Sequence, residues 1–162
     1  MTVMEAIKAR KSIRQYTDSP IEPEVLAQVA EAFRLAPSAR NRQDWQLIIV
    51  TDPELKKAVH SSTMAAQSAA VLVAIGTADS MMPCGHRADS VDLSIGLSFA
   101  MLAAQELGLG TCWIGSHSEA QVRTALGLPE TASIPAIMTM GYPAESPDAK
   151  PRKDTAEIIV YK

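Results

Sequence analysis

Aromatic residues are scarce: Phe, Trp and Tyr together make up 4% of the 162 residues. The core must therefore be aliphatic, built from Ala, Leu, Ile, Val and Met. Strong charge of either sign is missing too. Fifteen basic residues stand against 18 acidic ones, for a net charge of -3. That argues against a nucleic-acid partner, which needs a broad basic face. The cysteines, Cys84 and Cys112, are far apart and form no disulfide framework. They read as free thiols in a reducing cytoplasm. The N-terminal "MTVMEAIKARK" lacks the apolar core of a secretory leader, which gives the same cytoplasmic expectation. The longest apolar run, "AAVLVAIG", is of strand length, so no membrane span is expected.

Several chemical signatures are absent as well. There is no GxGxxG and no GxxxxGK[ST], so any phosphate must be held by side chains. There is no GxSxG, no HExxH and no convincing carboxylate pair. Cys84 and His86 make a C-x-H pair, but zinc needs three or four ligands. Cys112, His60 and His117 are scattered, and no metal is expected. An enzyme with this sequence has no evident nucleophile or acid–base pair of its own. The pattern points to a bound cofactor that carries the chemistry.

What is present is a chain with 47% hydrophobic residues, long enough for one domain over 1–162. Thr2 and Glu5 have capping-box spacing for a helix from Val3 to about Lys11. Pro23 opens a helix with apolar residues at Val25, Leu26, Val29, Ala30 and Phe33, ending before Pro37. "WQLIIVT" reads as a strand. Asp52 and Pro53 open a helix after it. "AAVLVAIGT" is a continuous apolar run, expected as a buried strand. Residues 88–107 read as a helix that is apolar on nearly every face, stopped by Gly108. "LGTCWIG" is a short strand. Ser118 and Gln121 look like a capping box for a helix closed by Gly127. "IPAIMTMGYP" and "AEIIVYK" read as strands, separated by the basic loop "ESPDAKPRKD". The sum is about five helices and five strands in irregular alternation, with no internal repeat.

Three stretches could carry chemistry. Arg10, Lys11 and Arg14 cluster around Ser12, and Lys150, Arg152 and Lys153 cluster near the other end. Such forked and point-charge donors suit a phosphate, although a basic cluster is more often a solvated surface. "PSARNRQDW" packs Ser38, Arg40, Asn41, Arg42 and Gln43 into one loop. Asn and Gln amides can read the edge of a heterocycle, while the plain alternative is a helix stop and turn. "GLGTCWIG" places three glycines in eight positions, which implies positive φ or close backbone approach.

These stretches, in this order, resemble the flavin-dependent nitroreductase family. "RKSIRQY" resembles its R-[RK]-S-x-R-x-[FY] signature. "PSARNRQDW" resembles its P-S-A-x-N-x-Q-P-W loop, with Asp44 where proline is usual. "LAAQELGLGTCWIG" is similar to its A-x-x-L-G-L-G-T-x-W-I-G stretch, and "MGYPAESPDAKPRK" to its G-Y-P-x-E-x-P-x-x-K-x-R tail. The resemblance spans nearly the whole chain.

It implies an α+β fold with a mixed sheet flanked by helices, in an intertwined homodimer that binds FMN at the subunit interface. Arg10 and Ser12 would hold the FMN phosphate or ribityl chain, and Lys11 would still bind an anion. Arg14 would approach the pyrimidine edge. Lys150 and Arg152 would complete the phosphate site. Ser38, Ala39 and Asn41 would come from the partner subunit, in the loop that also carries Arg40 and Gln43. Trp113, Ile114 and Gly115 would line the isoalloxazine, with the Gly115 N–H near N5 and O4. The helix over 88–107 would serve the dimer core, and the last strand would reach the partner's sheet.

The implied activity is NAD(P)H oxidation with hydride transfer through flavin N5 to a nitroaromatic, a quinone or a similar small acceptor, in ping-pong order. No catalytic side chain is assigned. A different reductive flavin enzyme on the same fold is one alternative. A slow or non-catalytic FMN-binding redox sensor is another. "GTADSMMPCGHRADSVDL" is the one loop able to cover the substrate side.

Overall fold

The computed structural model describes residues 1–78 and 80–162. The substrate-side loop predicted from the sequence contains Asp79, which lies outside the described residues. The chain begins with α1 (Val3–Ala9), α2 (Pro23–Arg34) and a 3-10 turn (Ala39–Asn41). Then come β1 (Trp45–Val50), α3 (Pro53–Val59), α4 (Thr63–Gln67) and β2 (Ala70–Gly76). The second half holds α5 (Ala88–Glu106), β3 (Gly110–Ile114), α6 (Glu119–Leu126), β4 (Ile137–Gly141) and α7 (Thr155–Ile158).

The helix starts follow the capping chemistry. Thr2 and Glu5 close a reciprocal box, with bonds of 2.8 and 3.3 Å. Asp52 Oδ1 accepts the Leu55 N–H at 2.8 Å, with Pro53 in the first helical position. The box predicted for α6 is only half made. Ser118 Oγ accepts the Gln121 N–H, but the Gln121 amide donates to the Ala58 carbonyl at 2.8 Å and ties α6 to α3. The sequence reading missed α4, a five-residue helix capped by Ser62.

The four strands lie in the order β1-β2-β4-β3, antiparallel throughout. The parallel component comes from Ser12, which bridges to Thr111 on the outer side of β3. The fold is α+β with helices flanking the sheet, as expected, and the sheet is antiparallel with this isolated parallel bridge at its edge. β2 is buried along its whole length because helices cover both faces of the sheet. Leu72, Ala74, Met138 and Met140 pack toward Val29 and Phe33 of α2 and Leu93 and Leu97 of α5. Val71, Val73 and Ile137 pack toward Val59 of α3, Ala65 of α4 and Val122 of α6. Truncating a fully buried side chain such as Leu97 costs roughly 2–5 kcal/mol.

α5 has two apolar faces. Leu93, Gly96, Leu97, Ala100 and Ala104 are buried in the chain's own core. Gly96 is needed there, since a Cβ would stand 2.7 Å from the Phe33 ring. The other face shows Val91 and Phe99, which are 38% and 42% exposed. Ser94 and Ser98 on that side donate to the carbonyls four residues back, at 2.7 Å each. Their hydroxyls are thereby satisfied within the helix, and the face stays apolar. Exposed Val3, Met4 and Ile7 of α1 add further uncovered apolar surface.

One expectation fails. "AEIIVYK" forms no strand. Thr155–Ile158 is a single helical turn, and Ile159, Val160 and Tyr161 extend beyond it in the open. Asp154 and Glu157 make the same reciprocal box as Thr2 and Glu5, and this local capping wins because no strand among the described residues pairs with the tail. Among the described residues no helix is long and apolar enough to cross a membrane.

Candidate functional site

The basic segment after α1 is pinned to the β3 edge of the sheet. The Ile13 N–H donates to the Thr111 carbonyl at 2.9 Å. Gly110 permits this approach, since a Cβ there would meet the Ile13 side chain at 2.7 Å. Buried Tyr16 donates its hydroxyl to the Ile13 carbonyl at 2.7 Å and lies 2.8 Å from Thr139 Oγ1. Burial pushes the Tyr16 phenol well above its ordinary range. Further along, Glu145 Oε1 accepts the backbone N–H groups of Arg14 at 2.5 Å and Gln15 at 3.2 Å. The Ala144 N–H donates to the Gln15 carbonyl at 2.9 Å.

These bonds hold the two ends of the chain together. The result is a cavity of about 430 Å³ lined by Arg10, Lys11, Ser12, Arg14, Lys150 and Arg152. Two basic clusters some 140 residues apart in sequence thus form one wall. Asp148 is the one acidic group lining it, and Lys8 adds a further cation.

The arginines sort into two sets. Arg34, Arg42, Arg87 and Arg123 each pair with a carboxylate. Arg10, Arg14, Arg40 and Arg152 form no ion pair among the described residues. These four are the arginines that the sequence reading placed in the site.

The loop before β1 is strained and self-bonded. Arg40, Asn41 and Gln43 all have φ near +55°. For side-chain-bearing residues the left-handed region costs roughly 1–2 kcal/mol each. Such strain persists where surrounding bonds over-determine the backbone, and it concentrates at functional sites. Here the Gln43 N–H donates to Ser38 Oγ at 3.1 Å, and the Gln43 amide donates to the Asn41 carbonyl at 3.2 Å. The Ala39 N–H reaches both carboxylate oxygens of Asp92 on α5, at 3.0 Å each. Arg42 Nε stands 2.7 Å from Asp44, so the carboxylate at the usual proline position fastens the loop by an ion pair. Arg40 and Asn41 present exposed side chains.

The end of β3 supplies the third stretch. Ile114 is 5% exposed, with its side chain in the core beside Val73 and Ile137. It can offer only backbone to a ligand. Trp113 is half-buried against the α2–α5 side of the core. Gly108 has φ +76° as it closes α5, and Gly110 makes room for Ile13. Gly115 has neither reason: its φ is not left-handed and a Cβ would meet nothing within 4 Å. The space in front of it is open.

The sheet register shows which of these stretches one chain can bring together. Ser12 pairs with Thr111, which lies opposite Met140, which lies opposite Ala70. The 38–43 loop enters β1 at Trp45, which lies opposite Gly76. Ala70 to Gly76 spans about 20 Å along β2, and β3 to β1 spans about 14 Å across the sheet. The cation cavity and the 38–43 loop occupy diagonally opposite corners. Trp113 to Gly115 share the β3 edge with the cavity without lining it: Ile114 is level with Val73, midway between the Thr111 end and the Gly76 end.

Two contributors were not read from the sequence. Glu145 lies within the stretch "MGYPAESPDAKPRK", but no periodicity marks it as the clamp on Arg14. His60 sits at the end of α3, with Nε2 3.3 Å from the Ser116 carbonyl and Nδ1 2.8 Å from Ser62 Oγ, bracing the residue after Gly115. A larger open groove, about 720 Å³, runs along the outer face of α5 from Gly85 to Ser98 and is mostly apolar.

Comparison with known proteins places the sequence and the fold. Residues 2–162 match the family described as "Putative TM nitroreductase". A "Putative NADH dehydrogenase/NAD(P)H nitroreductase" of Archaeoglobus fulgidus is 32% identical over 154 residues, covering 90% of this chain and 87% of the relative. The crystal structure of a nitroreductase family protein from Clostridium difficile 630 superimposes with a TM-score of 0.91 at 28% identity, over 100% of this chain and 99% of that one. The NADPH:FMN oxidoreductase from Vibrio harveyi, solved in complex with NAD+, gives a TM-score of 0.86 at 27% identity, over 98% of this chain and 76% of that one. By sequence and by fold, the chain belongs to the nitroreductase family.

Proposed function

We propose that the chain, as a single domain over 1–162, is an FMN-dependent NAD(P)H oxidoreductase. It takes electrons from NADH or NADPH and reduces nitroaromatics, quinones or similar small acceptors in ping-pong order. It works as a cytoplasmic homodimer with FMN at the subunit interface. The observation that carries this reading is the sorting of the arginines. The other four arginines are ion-paired, whereas Arg10, Arg14, Arg40 and Arg152 meet no acid among the described residues. Three of them, Arg10, Arg14 and Arg152, line one cavity, and forked donors gathered there fit a phosphate monoester, which accepts several charge-assisted bonds at once, while Arg40 lies at the opposite corner. Ser12 adds a hydroxyl donor.

Flavin supplies a two-electron carrier that accepts hydride at N5 and passes it on. The chain binds and orients it. Arg10, Lys11, Ser12, Lys150 and Arg152 hold the phosphate end. Arg14 approaches the pyrimidine edge. Trp113, Ile114 and Gly115 lie along the ring, and the Gly115 N–H donates where negative charge develops. One such donor is worth on the order of 3 kcal/mol. Ser38, Ala39, Arg40, Asn41 and Gln43 close the site from the partner subunit.

Two observations support the dimer. The 38–43 loop is too far from the chain's own cation cavity to share one ring with it. The outer face of α5 is apolar and uncovered, which suits a subunit contact.

The test is the visible spectrum of purified protein, with FMN and then NADH or NADPH added without oxygen. The reading expects a bound flavin band that bleaches with nicotinamide. A bound band that persists would favour a flavin-binding sensor. No binding would remove the assignment.

A further inference from the structure

We infer that Asp92 is a positioning residue: it holds the 38–43 loop in its flavin-facing shape before any flavin arrives. The inference rests on the reading of that loop as the partner-side half of the site.

The loop is strained at Arg40, Asn41 and Gln43, so its own backbone preferences oppose the shape it has. Most bonds that hold it are internal. Ser38 Oγ takes the Gln43 N–H, the Asn41 carbonyl takes the Gln43 amide, and the Arg42–Asp44 pair closes the end. These bonds travel with the loop and fix nothing relative to the rest of the fold. At the strand end, the Thr77 N–H donates to the Asp44 carbonyl at 3.0 Å. At the start of the loop the side-chain tie is the Ala39 N–H on Asp92, with both carboxylate oxygens at 3.0 Å. That bond is half-buried and charge-assisted, hence stronger than a neutral one.

Asp92 stands on α5 beside Val91, a residue of the helix's exposed apolar face. One helix thus bears both the anchor of the loop and the surface suited to a second subunit. The exposed donors of Arg40 and Asn41 are presented to the neighbour from a fixed base. A loop that is already ordered loses less conformational freedom on binding. Asp92 touches no flavin itself and acts through the Ala39 amide.

The experiment compares the wild type, Asp92→Ala and Asp92→Asn. Amide exchange at Ala39 is followed in the flavin-free protein, and the affinities for FMN and riboflavin are titrated. Expected is slow exchange in the wild type, fast exchange in the Ala variant and slow exchange again in the Asn variant, whose side-chain oxygen still accepts. FMN and riboflavin should weaken in the Ala variant by the same factor, about tenfold, because the phosphate end is untouched. The Asn variant should recover most of both.

Fast exchange at Ala39 in the wild type would overturn the inference, since the loop would not be held in advance. So would an Ala variant that loses protection yet binds FMN normally, and in that case the flavin assignment would survive. A wild type that binds no FMN would overturn both.

Discussion

Glu145 holds Arg14 by its backbone and not by its guanidinium: Oε1 accepts the Arg14 N–H at 2.5 Å, and Arg14 forms no ion pair among the described residues. A carboxylate beside a phosphate site normally competes with the phosphate for the cations. Here its acceptor capacity is turned to the main chain instead. Glu145→Ala should release the segment and weaken FMN about tenfold, since a bond to a charged acceptor is worth roughly 1.5–3 kcal/mol before solvent screening. Glu145→Gln keeps the acceptor and removes a repelling charge, so it should bind FMN at least as tightly as the wild type. Fluorescence titration of FMN separates the two variants. Equal weakening in both would show that the charge itself matters.

Arg10→Ala should lower FMN affinity by about 10–100-fold, because one charge-assisted phosphate pair is lost. Riboflavin, which lacks the phosphate, should bind that variant as it binds the wild type. Arg34→Ala removes an exposed arginine paired with Glu31 and should change neither affinity. Titration of both flavins against both variants checks this.

Gly110 and Gly115 should separate stability from binding. Gly110→Ala forces a Cβ to within 2.7 Å of Ile13 and should lower stability by roughly 1–3 kcal/mol. Gly115→Ala meets no atom within 4 Å, so the flavin-free protein should melt close to the wild type. FMN affinity should nevertheless fall, because the new methyl occupies the open space in front of the strand. Melting curves with and without FMN read both effects.

Tyr16 gives the fold an alkaline limit. Its phenol is raised above the ordinary value of 10.0, chiefly by burial. A raised acid binds its proton more tightly in the folded chain than in the unfolded one. Its contribution is fully present below about pH 10 and is lost as pH rises through and beyond that value. Tyr16→Phe should cost about 1–2 kcal/mol at neutral pH, since the Ile13 carbonyl and Thr139 hydroxyl lose a partner. The same variant should show a flatter decline in stability above pH 10. Urea unfolding from pH 7 to 11 tests both effects.

Much of the fold was legible because local chemistry and tertiary packing agree. Thr2 with Glu5, Asp52 with Pro53, and Gly108 with its left-handed turn mark helix ends by bonds that need no distant partner. The unbroken apolar run of β2 signals cover on both faces, and the structure supplies it. The tail was misread because a β-branched run, Ile158 to Val160, outweighed the Asp154–Glu157 cap in the pattern. A strand needs a neighbour, and the described residues offer the tail none. The site was legible as clusters and donors. What the sequence could not show was distance. Only the register, with Thr111 opposite Met140 and Trp45 opposite Gly76, shows that the cations and the 38–43 loop sit at opposite corners. The bond from the Ala39 N–H to Asp92 is equally invisible, since 53 residues separate the two.

The central claim is that one flavin lies between the cations of one subunit and the 38–43 loop of the other. Mixed dimers of Arg10→Ala and Asn41→Ala chains test it most directly. Each homodimer has two damaged sites. In the hybrid, one site collects both defects and the other collects none. The account predicts that co-refolded, separated hybrids regain one tight FMN per dimer. Hybrids that bind FMN no better than either parent would place the whole site within one chain and contradict it.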